Sequence, residues 1–112
     1  MASSTFPLEI SVTEASALAQ PGPDQALILD VREPAELAIC QIIGAEHIPM
    51  RQVPTQVSTL PRDRHLLVLC HHGVRSLSVT QFLRAQGFTA ASSIAGGIEA
   101  WAEQLDPAMA RY

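Results

Sequence analysis

The chain has 112 residues, 47% of them hydrophobic and 16% charged. That is one domain's worth of sequence (1–112, core about 8–105), and it excludes a two-domain cofactor enzyme, a disordered chain and a coiled coil. Seven basic residues, all of them Arg, against eleven acidic ones give a net charge of −4, which argues against nucleic acid as the main partner because phosphate binding needs a basic face.

In chain order, Ser11-Val-Thr-Glu14 has the spacing of a capping box, with Ala15, Leu18 and Ala19 at helical spacing behind it. Pro21-Gly22-Pro23-Asp24 is a loop too short to link domains. Ala26 to Asp30 is a continuous apolar run ending in an acid, which suits a strand buried on both faces. Pro34 to Ala38 reads as a short helix with Pro at its start. Glu46 to Ile48 is a short strand stopped by Pro49, and a helix is expected from about Pro54 to Leu60, with Val53, Val57 and Leu60 on one face. His65 to Cys70 is the second strongly buried strand. A helix from Ser76 to Gln86 turns Val79, Phe82 and Leu83 inward and stops at Gly87. Ala90 to Ile94 is a weaker strand. Gly96-Gly97 opens a last helix carrying Ile98, Trp101 and Leu105 at i, i+3 and i+7, ended by Asp106-Pro107.

Near-continuous apolar strands alternating with helices predict an α/β sandwich around a mainly parallel sheet. In such sheets the binding crevice lies beyond the carboxyl ends of the strands, where Asp30 and Cys70 fall. No apolar run approaches the ~20 residues of a membrane span. Met1 to Pro7 lacks the regions of a signal peptide, and two cysteines, Cys40 and Cys70, are too few for a disulfide scaffold. A cytoplasmic protein with reduced thiols and no membrane partner is expected.

The segment Cys70-His71-His72-Gly73-Val74-Arg75-Ser76 carries the chemistry. A cysteine leaves a buried strand, a loop with one glycine follows, and a helix begins. Backbone N–H groups in such a loop converge on an anion, and the helix N-terminus adds partial positive charge. A cysteine at such a position is placed to react as thiolate. A cysteine ending a buried strand is also, more plainly, a small core hydrophobe; Gly73 and Arg75 favour the reactive reading, because a flexible loop and a cation suit an anionic substrate.

This loop resembles the active-site loop of the rhodanese-like sulfurtransferases. Leu29-Asp-Val-Arg-Glu-Pro34 resembles the family's "DVRE" signature, Ile43-Gly-Ala-Glu-His-Ile-Pro49 its "PGAxHIP" stretch, and Gly87-Phe88 through Ile94-Ala-Gly-Gly-Ile-Glu-Ala-Trp101 its closing "GF…GGxxAW" segment. The four segments lie in family order across residues 8 to 105. Cys40 and Gln41 stand where the family most often has Gly-His, and Ile43 where it has Pro. The resemblance implies a single-domain rhodanese with a five-stranded, mainly parallel sheet and helices on both faces. It implies a thiosulfate sulfurtransferase-like enzyme that needs no metal or organic cofactor. A sulfane sulfur passes from thiosulfate or a persulfide to Cys70, and from the Cys70 persulfide to a thiol, a protein cysteine or cyanide. The N–H groups of His71, His72, Gly73, Val74 and Arg75 then cradle the persulfide, and Arg75 neutralises a small anionic donor. The C-x4-R spacing separates the chain from the C-x5-R loops of phosphatases and arsenate reductases, whose larger ring fits a tetrahedral oxyanion. A non-catalytic docking module and a thiol redox protein remain as alternatives.

Other candidates carry weaker expectations. Asp30 and Arg32 either hold the reactive loop or form a structural ion pair. His71 and His72 lack a second ligand cluster with metal spacing and fit anion attraction better than a metal site. His47 and Trp101 read as packing, and His65 as a strand-edge residue.

Overall fold

A computed structural model describes residues 6–20, 22 and 25–112. The Met1–Pro7 reading lies outside these residues for its first five positions, as does the loop at Pro21, Pro23 and Asp24. Five strands form one sheet in the order β1-β5-β4-β2-β3, with every pair parallel. They are β1 (Glu9–Ile10), β2 (Leu27–Asp30), β3 (Glu46–His47), β4 (Leu66–Leu69) and β5 (Ala91–Ile94). The residue pattern marks four of these. The two-residue β1, pairing with Ser93 and Ile94 at the sheet edge, is too short to leave an apolar signature.

Pleat parity assigns the two faces. Leu66 and Val68 of β4 join Leu29, Val31, Val53, Val79, Leu83 and Phe88 in one core cluster. Leu67 and Leu69 join Ile10, Ala15, Ile28, Ile94 and Ile98 in the other. The first lies under α3 (Val53–Gln56) and α4 (Val74–Ala85), the second under α1 (Val12–Leu18) and α5 (Gly97–Gln104). Cys70 continues the parity of Leu66 and Val68 and belongs to the α4 side.

The predicted capping box forms: Ser11 Oγ accepts from the Glu14 N–H at 3.1 Å, and Glu14 answers at the Ser11 N–H. Pro34 opens α2 (Pro34–Leu37). The helix expected over Pro54 to Leu60 is instead one α-turn between two 3₁₀ turns, Met50–Gln52 and Val57–Thr59. Val53 and Leu60 are still buried, so the segment seats its anchors without a continuous helix. α4 begins two residues before the expected Ser76, because Gly73 at φ 111° breaks the chain direction sooner. Leu18 and Leu105, which keep helical spacing with the buried residues of their segments, are exposed; each sits at the end of its helix, where the inner face has turned away from the sheet.

The connection leaving β2 runs outward to β3, while the connection leaving β4 runs the other way to β5. Adjacent strands whose connections part in this way open a crevice at their carboxyl ends. Asp30 and Cys70 both border it.

Candidate active site

Cys70 follows the last residue of β4 and is 1% exposed. The Gly73 N–H donates to its Sγ at 3.0 Å, and its thiol meets the Ser76 hydroxyl at 3.3 Å. Ser76 is in turn 2.8 Å from the hydroxyl of Ser93 on β5, and both serines are buried. A hydroxyl rotates to suit its partner, so Ser76 accepts from the thiol and donates to the thiolate.

The loop is held from behind by α5. The Ile98 N–H donates to the Cys70 carbonyl at 2.9 Å, and the Glu99 N–H to the His71 carbonyl at 3.1 Å. A trans peptide sets each carbonyl opposite the next N–H, and no peptide among the described residues is cis. Turning the two carbonyls toward α5 therefore turns the His71 and His72 N–H groups the other way. Gly97 permits this docking: a Cβ there would lie 2.4 Å from the His71 oxygen and 2.5 Å from the Cys70 oxygen.

Arg75, in the first turn of α4, makes a two-pronged pair with Glu36 of α2, with both nitrogen–oxygen distances 2.8 Å. The guanidinium is thus neutralised within the chain. The Glu36 carboxyl also accepts from the Glu33 N–H and the Tyr112 hydroxyl, each at 2.8 Å. The hydrogen bond from Arg75, ahead of the opposing effect of burial, holds the Glu36 carboxyl down at about 2. Burial raises the Tyr112 phenol to about 12.

Asp30 and Arg32 form a buried ion pair at 2.8 Å. Arg32 also donates to the carbonyls of Glu36 and Cys40 and to the Tyr112 hydroxyl. The pair fixes the segment that carries Glu36, and its hydrogen bonds do not reach the Cys70 loop directly. His47 Nε2 lies 2.7 Å from the Arg32 carbonyl, which is a packing role. His65 leads into β4 and meets the Ser92 hydroxyl at 2.8 Å. Trp101 is half-buried against the α5-side core.

The His71 ring stacks between His72 and Tyr112, with both centroid separations 3.9 Å. Among the described residues no group of three or more metal-ligating side chains converges. Val74 is 77% exposed and offers the loop only its backbone. Cys40 is half-buried, with Arg32 Nη1 4.0 Å from its sulfur. A cavity of about 470 Å³ lies at the opposite end of the sheet, lined by Ala26, Leu27, Ile42, Ile43, Arg64 and Trp101 among others. It is remote from Cys70 in the fold, so the loop chemistry identifies the site better than cavity size does.

The model of the rhodanese-like domain matches residues 11–104. The chain belongs to the rhodanese-like domain family. A rhodanese-like/PpiC domain-containing protein 12, chloroplastic, of Arabidopsis thaliana is 38% identical over 93 residues, covering 80% of this chain and 31% of that protein. A sulfurtransferase of Allochromatium vinosum is 36% identical over 87 residues, covering 78% of this chain and 81% of that one. The crystal structure of a rhodanese-like domain protein from Staphylococcus aureus superposes with a TM-score of 0.76 at 30% identity, over 93% of this chain and 97% of that one. This chain therefore spans less than a third of the Arabidopsis relative and most of the other two. Among the described residues no helix is long and apolar enough to cross a membrane.

The residue pattern singles out Cys70, the loop from His71 to Arg75 and the Asp30–Arg32 pair as candidates. The structure brings four further residues to this candidate site. Ser76 closes the quoted motif and starts the buried face of α4, a signal that was available. Ser93, Glu36 and Tyr112 come from distant segments, and nothing local marks them.

Proposed function

We propose that the protein is a sulfurtransferase that carries a sulfane sulfur as a persulfide on Cys70. The observation that supports this most is the setting of Cys70 Sγ, which accepts the Gly73 N–H at 3.0 Å with the Ser76 hydroxyl beside it, at the mouth of the β2/β4 crevice. In the first half-reaction the Cys70 thiolate attacks the outer sulfur of thiosulfate. The new S–S bond forms as the old one breaks, and sulfite leaves with the electron pair. With a persulfide donor, RSSH, the thiolate leaves instead as RS⁻. In the second half-reaction a thiolate or cyanide takes the outer sulfur and returns Cys70 as thiolate. This is covalent catalysis by an activated nucleophile. The N–H groups of His71, His72, Gly73, Val74 and Arg75 receive the outer sulfur, as preorganised donors receive an oxyanion.

One domain carries the whole cycle without metal or organic cofactor. Its acceptors are small thiols or protein cysteines, in the cytoplasmic setting expected for the chain. Intact-mass measurement after incubation with thiosulfate, and separately with glutathione persulfide, tests the reading. The wild type gains one sulfur atom and loses it to cyanide; Cys70→Ser, with its far weaker nucleophile, gains none and does not turn over. Turnover in a clean Cys70→Ser preparation would sink the mechanism.

A further inference from the structure

The Glu36–Arg75 pair joins the two sides of the crevice, since Glu36 follows β2 and Arg75 follows β4. The Glu36 carboxylate is saturated. Its four contacts are Nη1 and Nη2 of Arg75, the Tyr112 hydroxyl and the Glu33 N–H, each at 2.8 Å. The end-on face of the Arg75 guanidinium, which would otherwise match two oxygens of a sulfonate, is taken by this carboxylate. Nearby cations are matched as well: Arg32 by Asp30 and Arg111 by Glu99. On a chain of net charge −4, a dianion nearing the loop meets an arginine already neutralised, in an overall field that opposes it.

We infer that Glu36 is a specificity-determining residue. By holding Arg75 as a latch across the crevice, it turns the site away from dianionic donors such as thiosulfate and toward persulfide donors, RSSH. The inference rests on the sulfurtransferase reading. Its chemistry is that of the donor. Thiosulfate brings two negative charges and releases sulfite, so it needs a cation both on approach and at departure. A persulfide is attacked in its protonated form RSSH, carries no sulfonate for a guanidinium to hold, and releases a single thiolate. Glu36 acts through Arg75 and does not touch the reacting sulfur, so it tunes the choice between donors and leaves the chemical step to the loop.

The test compares kcat/KM for thiosulfate and for the persulfide of 2-mercaptoethanol, whose organic part carries no charge, in the wild type, Glu36→Gln and Glu36→Ala. The readout is the ratio of the two values, which general damage to the fold does not move because it lowers both alike. Gln keeps the size of the side chain and one accepting oxygen while removing the charge and setting its NH2 donor against one nitrogen of Arg75, which breaks the two-pronged pair; Ala frees the guanidinium altogether. The thiosulfate-to-persulfide ratio should rise roughly tenfold in both variants, and the gain should shrink in high salt as the freed cation is screened. A ratio unchanged or lowered in both variants overturns the role of Glu36 while leaving the persulfide enzyme standing. A wild type that gains no sulfur from either donor overturns the sulfurtransferase reading, and this inference with it.

Discussion

Substituting Gly97 by alanine tests how the reactive loop is held. Gly97 has φ +58°, where a side chain costs about 1–2 kcal/mol. The larger effect is steric. The new Cβ would lie 2.4 Å from one backbone oxygen and 2.5 Å from another, and neither belongs to a side chain that can swing away. Relief requires α5 to part from the loop, which stretches the Ile98–Cys70 and Glu99–His71 hydrogen bonds. Each such bond contributes about 0.5–1.5 kcal/mol, so the loss sums to roughly 2–5 kcal/mol, a large share of a stability of about 5–15 kcal/mol. Gly44→Ala is the internal control, because Gly44 also has positive φ, +91°, but a Cβ there meets nothing within 4 Å. Urea unfolding of both variants separates the backbone penalty from the docking penalty. Because the carbonyls orient the loop's N–H groups, the loading of sulfur onto Cys70 should also fall, by roughly 10- to 100-fold. If Gly97→Ala proves no less stable than Gly44→Ala and loads Cys70 at the wild-type rate, α5 does not hold the loop and the reasoning fails.

Ser76→Ala removes the hydroxyl 3.3 Å from the Cys70 sulfur and leaves Ser93 short of a partner; persulfide formation measured by rapid quench should slow about tenfold, and an unchanged rate would limit Ser76 to packing. Cys40→Ala should keep kcat within a few-fold in the thiosulfate–cyanide assay, since its sulfur meets Arg32 and makes no hydrogen bond with Cys70; a loss matching that of Cys70→Ser would make Cys40 a resolving thiol. The hydrogen bond from Arg75 lowers Glu36 from 4.5 to about 2, so the pair's contribution is fully present above about pH 4.5 and is lost as pH falls toward about 2. With solvent screening at this partly exposed rim, that amounts to about 1–2 kcal/mol. Acid unfolding should show this step in the wild type and not in Glu36→Gln, and identical acid profiles would remove the pair from the stability balance.

What could be read in the chain was local. The capping box at Ser11, the buried runs ending at Asp30 and Cys70, and the loop after Cys70 each carry their signal within a few residues; the box and the runs formed where expected, while the loop closed two residues early at Val74. The failures have local causes too. β1 is two residues long and carries no period. The stretch from Met50 to Thr59 buries Val53 through alternating helical and 3₁₀ turns, and no single periodicity describes that. Leu18 and Leu105 keep helical spacing into final turns that the sheet no longer covers.

Arg75 marks where the residue pattern ran out. A cation five residues after a cysteine reads as a clamp for an anion, and the reasoning is sound for an isolated loop. The fold supplies a competitor 39 positions away. Glu36 reaches Arg75 because the β2 and β4 connections part at the crevice, and the buried Asp30–Arg32 pair pins the segment that bears it. A carboxylate held at both oxygens by the chain itself is already ordered, whereas a diffusing sulfonate must give up its freedom to bind. The internal partner therefore occupies Arg75 in the resting protein. The donors left at Cys70 are backbone N–H groups and the Ser76 hydroxyl, the set that the proposed persulfide would meet without a cation. The charge that loop chemistry suggested for binding substrate joins the two walls of the crevice instead, and the donor ratio of the Glu36 variants measures whether the choice of donor turns on that pairing.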